Sequence, residues 1–216
     1  MRARTRKISG IAVVSLGLLL AMTFGSRLTH GQAQHIRWDI ILLTPGPGGV
    51  EATVNPGGQA SAKDNQYSTA VNDNLGNTLT LTGTGTFVAP AGGGGTSGAV
   101  TGGGTWTLTP VVGAPSGGAY WVTGLVRWEV APGTFPGTTD NIGNPSDFRA
   151  GLAVLRIQYS DGSNGILVLS CHGAGTPDTV FEGITASKDY VDYWHRQPPS
   201  GAPGGPNANR TAFHVE

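Results

Sequence analysis

From Thr78 to Val88 the chain reads TLTLTGTGTFV, with threonine at every second position against leucine, glycine and phenylalanine. Successive side chains of an extended strand point to opposite faces, so a strict two-residue period predicts a strand with one wet and one apolar face. Threonine suits the wet face because it is β-branched and tolerates water. Gly83 and Gly85 fall on the apolar face, where a missing side chain predicts a bend or a close neighbour such as a packed aromatic ring.

The same period recurs along the chain. HIRWDIILL (35–43) puts Ile36, Trp38, Ile40 and Leu42 on one face, and Thr105–Thr109 sets Trp106 and Leu108 opposite threonines. YWVTGLVRWEV (120–130) sets Tyr120, Val122, Val126, Trp128 and Val130 against Trp121, Thr123, Leu125, Arg127 and Glu129. Residues 152–172, LAVLRIQYSDGSNGILVLSCH, are two apolar runs around the turn signal SDGSNG, which predicts a hairpin. Centring it on Gly162-Ser163 pairs Tyr159 with Ile166, Ile157 with Val168 and Leu155 with Ser170. Both faces are then mainly apolar, which predicts cover on both sides, by a second layer and by another element or subunit. Thr176–Trp194 admits two readings. Thr-Pro-Asp starts a helix well, but Gly183, Ile184 and Thr185 oppose one and favour strands Val180–Thr185 and Tyr190–Trp194, turning at 186–189. RTAFHV (210–215) reads as a last, edge strand. Eight or nine strands at this spacing predict an all-β fold, an antiparallel sandwich or a small β-barrel.

The N-terminus predicts a compartment. Arg2, Arg4, Arg6 and Lys7 precede an apolar run from Ile8 to Phe24, and Gly31-Gln32-Ala33 offers small residues for cleavage. This is the order of a secretory signal peptide, spanning 1–33. The apolar run is short for a membrane span of roughly 20 residues; the competing reading is a retained anchor. The expected location is secreted, periplasmic or cell-surface, with no integral span after cleavage. Without the leader, eight Lys+Arg face 13 Asp+Glu, a net charge of −5. That sign argues against nucleic acid or an anionic membrane as partner. Residues 34–216 suit a single domain.

Cys171 is the only cysteine, so no intrachain disulfide can form and stability must come from packing and backbone pairing. The glycine-rich loop 89–104 lacks the lysine and the following helix that a phosphate-binding loop needs, and reads as a flexible connection. The Pro/Gly-rich stretch 197–209 reads as a linker.

Candidate chemistry is sparse. Cys171 and His172 are neighbours on a strand, so their side chains diverge and the imidazole cannot take the thiol proton. Asp140, Asn141, Asn144 and Asp147 place four oxygen-bearing side chains in eight residues, a possible weak calcium site short of the six to eight oxygens calcium takes. Asx residues also fill turns for their own reasons. Glu129, Glu182, Asp189 and Asp192 are the acids available for sugar hydrolysis, with no pattern that pairs them. No G-x-S-x-G elbow occurs. Most of the five tryptophans read as core, but Trp121 shares its face with Arg127 and Glu129, a stacking surface beside charges that a sugar or peptide can use.

GLVRWEVAPG (124–133), SDGSNG (160–165), SCHGAGTPDTVFEGITASK (170–188) and NRTAFHV (209–215), with the leader, resemble a group of exported bacterial β-proteins of no assigned activity. The resemblance covers the last two-thirds of the chain after the leader and implies export without implying a reaction. GTGTF (83–87) is similar to strands of lipocalin-like and dirigent-like barrels, which implies a barrel. The expected function is that of an exported, non-enzymatic structural or ligand-binding β-module, with self-association or an extracellular glycan as partner. The alternative is an extracellular hydrolase of a polymer such as a polysaccharide.

Overall fold

The structure, a computed structural model, describes residues 33–45, 52–64, 76–91, 94–137, 139–199 and 208–216; the leader and most of the Pro/Gly linker lie outside them. The described chain is all-β, as the alternation predicts. Fifteen strand segments occur, because several long paths are broken into shorter pieces. The N-terminal half supplies β1 (Gln34–Ile40), β2 (Leu42–Pro45), β3 (Ala52–Asn55), β4 (Ala60–Lys63), β5 (Thr78–Leu81), β6 (Thr84–Ala89) and β7 (Gly103–Thr109). β8 (Ser116–Ala131), β9 (Thr139–Asp140), β10 (Phe148–Tyr159) and β11 (Asn164–Cys171) follow. The chain ends with β12 (Gly183–Lys188), β13 (Val191–Tyr193), β14 (His195–Arg196) and β15 (Thr211–Val215).

The antiparallel wall closes twice. From β1 the hydrogen-bonded neighbours run β6, β7, β8, β10, β15 and back to β1. From β10 a second path runs through β11 and β12 to β13. One residue later the same segment continues as β14 on β4, and β5, β7 and β8 lead back to β10. Closure leaves few unpaired edges, which a chain without covalent cross-links needs. The interior is filled by side chains. Trp128 packs against Phe87 (ring centroids 5.3 Å) and Phe213 (4.7 Å), and Tyr159 meets Trp106 (5.7 Å) and Tyr120 (6.3 Å). Two buried phenols are satisfied: Tyr120 Oη donates to Thr82 O (2.7 Å) and Tyr159 Oη to Ser187 O (2.8 Å).

Several expectations are corrected. The glycine-rich loop 89–104 is not a free connection over its described part. Ser97 and Leu125 exchange backbone hydrogen bonds, Val122 N–H donates to Gly102 O, Thr101 N–H to Thr86 O and Val88 N–H to Ala99 O. The segment is thus a paired ribbon between β6 and β8. Its glycines are required by proximity: a Cβ on Gly102 would overlap Thr84 O and Gly85 Cα, and Gly102 has φ +97°. Gly85 faces Trp38 across the β1–β6 pair, the close aromatic neighbour expected there.

The 152–172 hairpin has a different register, with Leu155 opposite Leu167 and Ile157 opposite Gly165. Asp161 explains the shift. Its Oδ1 accepts from Ser163 N–H (3.1 Å) and Oγ–H (2.7 Å), and Tyr159 N–H closes on Ser163 O (2.9 Å), so Ser160, Asp161 and Gly162 form a three-residue loop. Gly162 at φ +90° completes it. Ala153, Leu155, Ile157, Leu167 and Leu169 face inward, whereas Val154, Ile166 and Val168 are only half-buried on the outer face. In β8, register shifts opposite Val154/Leu155 and Arg156/Ile157 turn Leu125 inward. Val130, two positions beyond buried Trp128 in an unbroken register, is nevertheless exposed. β15 is no edge: it pairs with β1 on one side and β10 on the other, and Thr211–His214 are buried. Within 176–194 a hairpin forms rather than a helix, but from Gly183–Lys188 and Val191–Tyr193: Val180–Glu182 lie ahead of the strand, and residues 186–188, expected in the turn, are paired strand, so the chain turns at Asp189-Tyr190.

A separate three-stranded sheet, β2–β3–β9, lies beside β15. Ile41 N–H donates to Arg210 O (3.0 Å), and buried Asp140 meets buried His214 at 2.7 Å.

The glycine requirement is testable. Gly102→Ala adds left-handed backbone cost of about 1–2 kcal/mol and a backbone clash of about 1–3 kcal/mol, so urea unfolding is expected to show a loss of about 3 kcal/mol. Gly98→Ala, with nothing within 4 Å of its added Cβ, is expected to stay within about 0.5 kcal/mol of the parent.

Candidate functional site

The outer face of the β10–β11–β12–β13 hairpins carries an open groove of about 440 Å³. Ile166 and Val168 of β11 and Thr185 and Ser187 of β12 form its floor. These side chains face out because Leu167 and Leu169, one position on, are committed to the core. The rim comes from the β12–β13 turn and the strand after it. Asp189 takes φ +52°, which turns the chain tightly and leaves Tyr190 97% exposed. Trp194, 52% exposed, stacks one face of its indole on His195 at 3.8 Å and leaves the other to solvent. Asp189 and Asp192 line the same groove.

The groove is rigidly backed. Lys188 Nζ donates to Asp161 Oδ2 (2.5 Å) and Ser163 Oγ (2.7 Å), and lies 4.7 Å from the Trp106 ring and 5.1 Å from the Tyr159 ring. The Lys188 ammonium, with Ser163, holds the Asp161 carboxyl down to about 2. The turn of one hairpin is thereby tied to the last residue of β12.

Trp121, Arg127 and Glu129 share the outer face of β8, as the alternation predicts. Arg127 Nε donates to Glu129 Oε1 at 2.9 Å, so the two charges answer each other. Trp121 stands apart, 43% exposed, its Nε1–H donating to Gln158 Oε1 (3.1 Å). Trp121 pairs with Gln158, Gln158 with Asn164, and Asn164 O accepts from Asp189 N–H. Trp121 and the groove rim therefore lie in one row across the sheet, three strand spacings or about 15 Å apart.

The oxygens of Asp140, Asn141, Asn144 and Asp147 do not converge. Asp140 Oδ1 accepts from Ile142 N–H (2.9 Å) and Gly143 N–H (3.2 Å) while Oδ2 meets His214 Nε2. Asn141 Nδ2 donates to Asn55 Oδ1 (2.7 Å), and Asn144 Oδ1 accepts from Ser146 as cap of the short 3-10 turn that holds Asp147. These are turn-forming roles. Among the described residues, no group of three or more His, Cys, Asp or Glu side chains is placed to hold a metal ion.

Of the acids considered for hydrolysis, Glu129 is ion-paired on β8 and Glu182 is buried. Glu182 Oε2 accepts from His172 N–H and Oε1 from Thr211 N–H, both at 2.7 Å, joining the end of β11 to the start of β15. Cys171 is a free, buried thiol, and His172 turns away to place Nδ1 2.8 Å from Val180 O. Alternation alone marks Trp194 as one tryptophan among five. The exposure of Tyr190 and Trp194 follows from where the 183–193 hairpin turns, which the sequence left open between helix and strands.

Glu182 gives a pH dependence of known sign. Burial pushes its carboxyl up to about 7 from 4.5, against the pull of the two N–H donors. The folded chain then keeps a proton that the unfolded chain loses, so stability is full below about pH 4.5, falls as pH rises through 7 and is flat above. The drop is on the order of 3 kcal/mol by linkage. Urea unfolding from pH 4.5 to 8 is expected to show it. Glu182→Gln is expected to remove that slope while costing about 1–3 kcal/mol, since one N–H then faces an amide N–H₂. No protein-family model, curated protein or solved structure matches this chain.

Proposed function

We propose that this chain is an exported, non-catalytic ligand-binding β-module, and that the groove of β11, β12 and β13 takes an uncharged saccharide. The observation that carries the reading is the pair of exposed aromatic rings, Tyr190 and Trp194, beside a groove lined by carboxylates and hydroxyls. A sugar ring has an apolar C–H face and a polar rim. The first suits an aromatic plane and the second suits Asp189, Asp192, Thr185 and Ser187 as hydrogen-bonding groups. The groove volume falls in the range of small-ligand sites, roughly 300–1,000 Å³. Its two acids, and the −5 charge of residues 34–216, disfavour anionic polymers. Among the described residues no helix is long and apolar enough to cross a membrane, and the proposed place of action is outside the cytoplasm.

A polysaccharide hydrolase is the second reading, favoured only by Asp189 and Asp192 lining one groove. It would announce itself through released reducing ends, lost in Asp192→Asn.

Retention on insoluble cellulose, chitin and xylan, followed by titration with oligosaccharides of the retained polymer, tests the proposal. Tyr190→Ala and Trp194→Ala are each expected to weaken binding about tenfold, the weight of a buried anchor. Trp121→Ala is expected to matter only for oligosaccharides long enough to reach its ring. Retention of none of the three polymers, or unchanged affinity in the Tyr190/Trp194 double variant, refutes the saccharide reading.

A further inference from the structure

A second concavity, sharing no residue with the groove, lies between the small β2–β3–β9 sheet and the barrel wall. Leu43 and Val54 of the small sheet face Phe148, Cys171 and Ala212 of the wall, with Phe135 beside them, around a cavity of about 170 Å³. Apart from Phe135, each of these six is less than a tenth exposed.

Arg210 and Thr211 also line the cleft, and the polar groups placed along it are already engaged. Thr211 Oγ1 donates to Ser170 O (2.8 Å), Thr211 N–H to Glu182 Oε1 (2.7 Å), and Ile41 N–H to Arg210 O (3.0 Å). Burial pushes the Cys171 thiol up, so it stays a neutral S–H. A mainly apolar cleft of this size accepts a guest the size of benzene. Left empty, such a cavity forfeits the dispersion contacts of its lining, which a guest of matching shape restores.

We propose that the cleft between the small sheet and the barrel binds a small neutral apolar molecule of about the size of one aromatic ring. The site selects by shape and by apolar contact, since the Thr211 groups on its lining are already bonded. Ala52, on the same lining, offers a way to fill the cleft from the small sheet without touching the barrel interior.

Benzene serves as the probe, added to the purified protein and followed by methyl NMR of Leu43 and Val54 together with the rate at which methyl methanethiosulfonate modifies Cys171. Saturable shifts at both methyl groups are expected, with Cys171 modification slowed at least threefold at saturation. Ala52→Leu is expected to weaken benzene binding at least tenfold. Leu43→Ala, which widens the same cleft, is expected to admit indole where the parent does not, and serves as the independent variant should Ala52→Leu fail to fold. Shifts that rise linearly without saturation, shifts confined to other methyl groups, or benzene and indole affinities unchanged in whichever variants fold overturn the proposal.

Discussion

At the crossing of residues 83–85 with 102–104, backbones pass so closely that no side chain fits between them. A Cβ on Gly83, Gly85, Gly102, Gly103 or Gly104 would overlap a neighbouring carbonyl oxygen or hydroxyl. This approach lets the glycine ribbon hydrogen-bond β6 on one side and β8 on the other, which in turn closes the ring through β10, β15 and β1. Ring closure matters here because Cys171, the only cysteine, has no partner to cross-link with. The glycines lose more chain entropy on folding than any other residue would. What offsets that cost is a continuous hydrogen-bonded wall around a core of Trp38, Phe87, Trp128, Tyr159 and Phe213, each almost wholly buried.

Period-two alternation made the strands and most inward faces legible. Ile36, Trp38, Ile40, Leu79, Leu81, Phe87 and Trp106 all lie where their spacing puts them. Alternation fails where the register is decided by something off the strand. The Leu152–His172 hairpin depends on which loop residue anchors the turn, and Asp161 with its bonds to Ser163 and Lys188 moves the centre from Gly162-Ser163 to itself. A shift of an odd number of positions changes which side chains sit opposite one another. The bulges of β8 act in the same way: two of them restore the phase, so Trp121 and Arg127 stay on one face while Leu125 between them turns inward. The glycine ribbon was unreadable for another reason. Glycine looks the same in sequence whether it loosens a loop or admits a neighbour, and only the neighbour decides.

The exposed aromatic rings were legible only in part. An aromatic surface beside charges was expected at Trp121, and Trp121 is exposed, yet its charged neighbours neutralise each other and the concavity lies across the sheet at Tyr190 and Trp194. The four acids separate by environment. Asp189 and Asp192 remain at the surface, whereas Glu182 has become an internal fastener between β11 and β15.

That separation bears on where a module of this shape can hold a ligand at all. Aromatic rings pack the described interior at centroid distances of 4.7–6.3 Å. The binding proposed above then uses surfaces that closure leaves over. Two kinds remain: the outer face of strands whose inner face is already committed, and the seam where a second sheet rests on the first. The groove at Tyr190 is of the first kind and the cleft at Cys171 of the second. Substitutions at either are therefore expected to change binding with little effect on the closed wall, whereas substitutions at the glycine crossing would unmake both sites together.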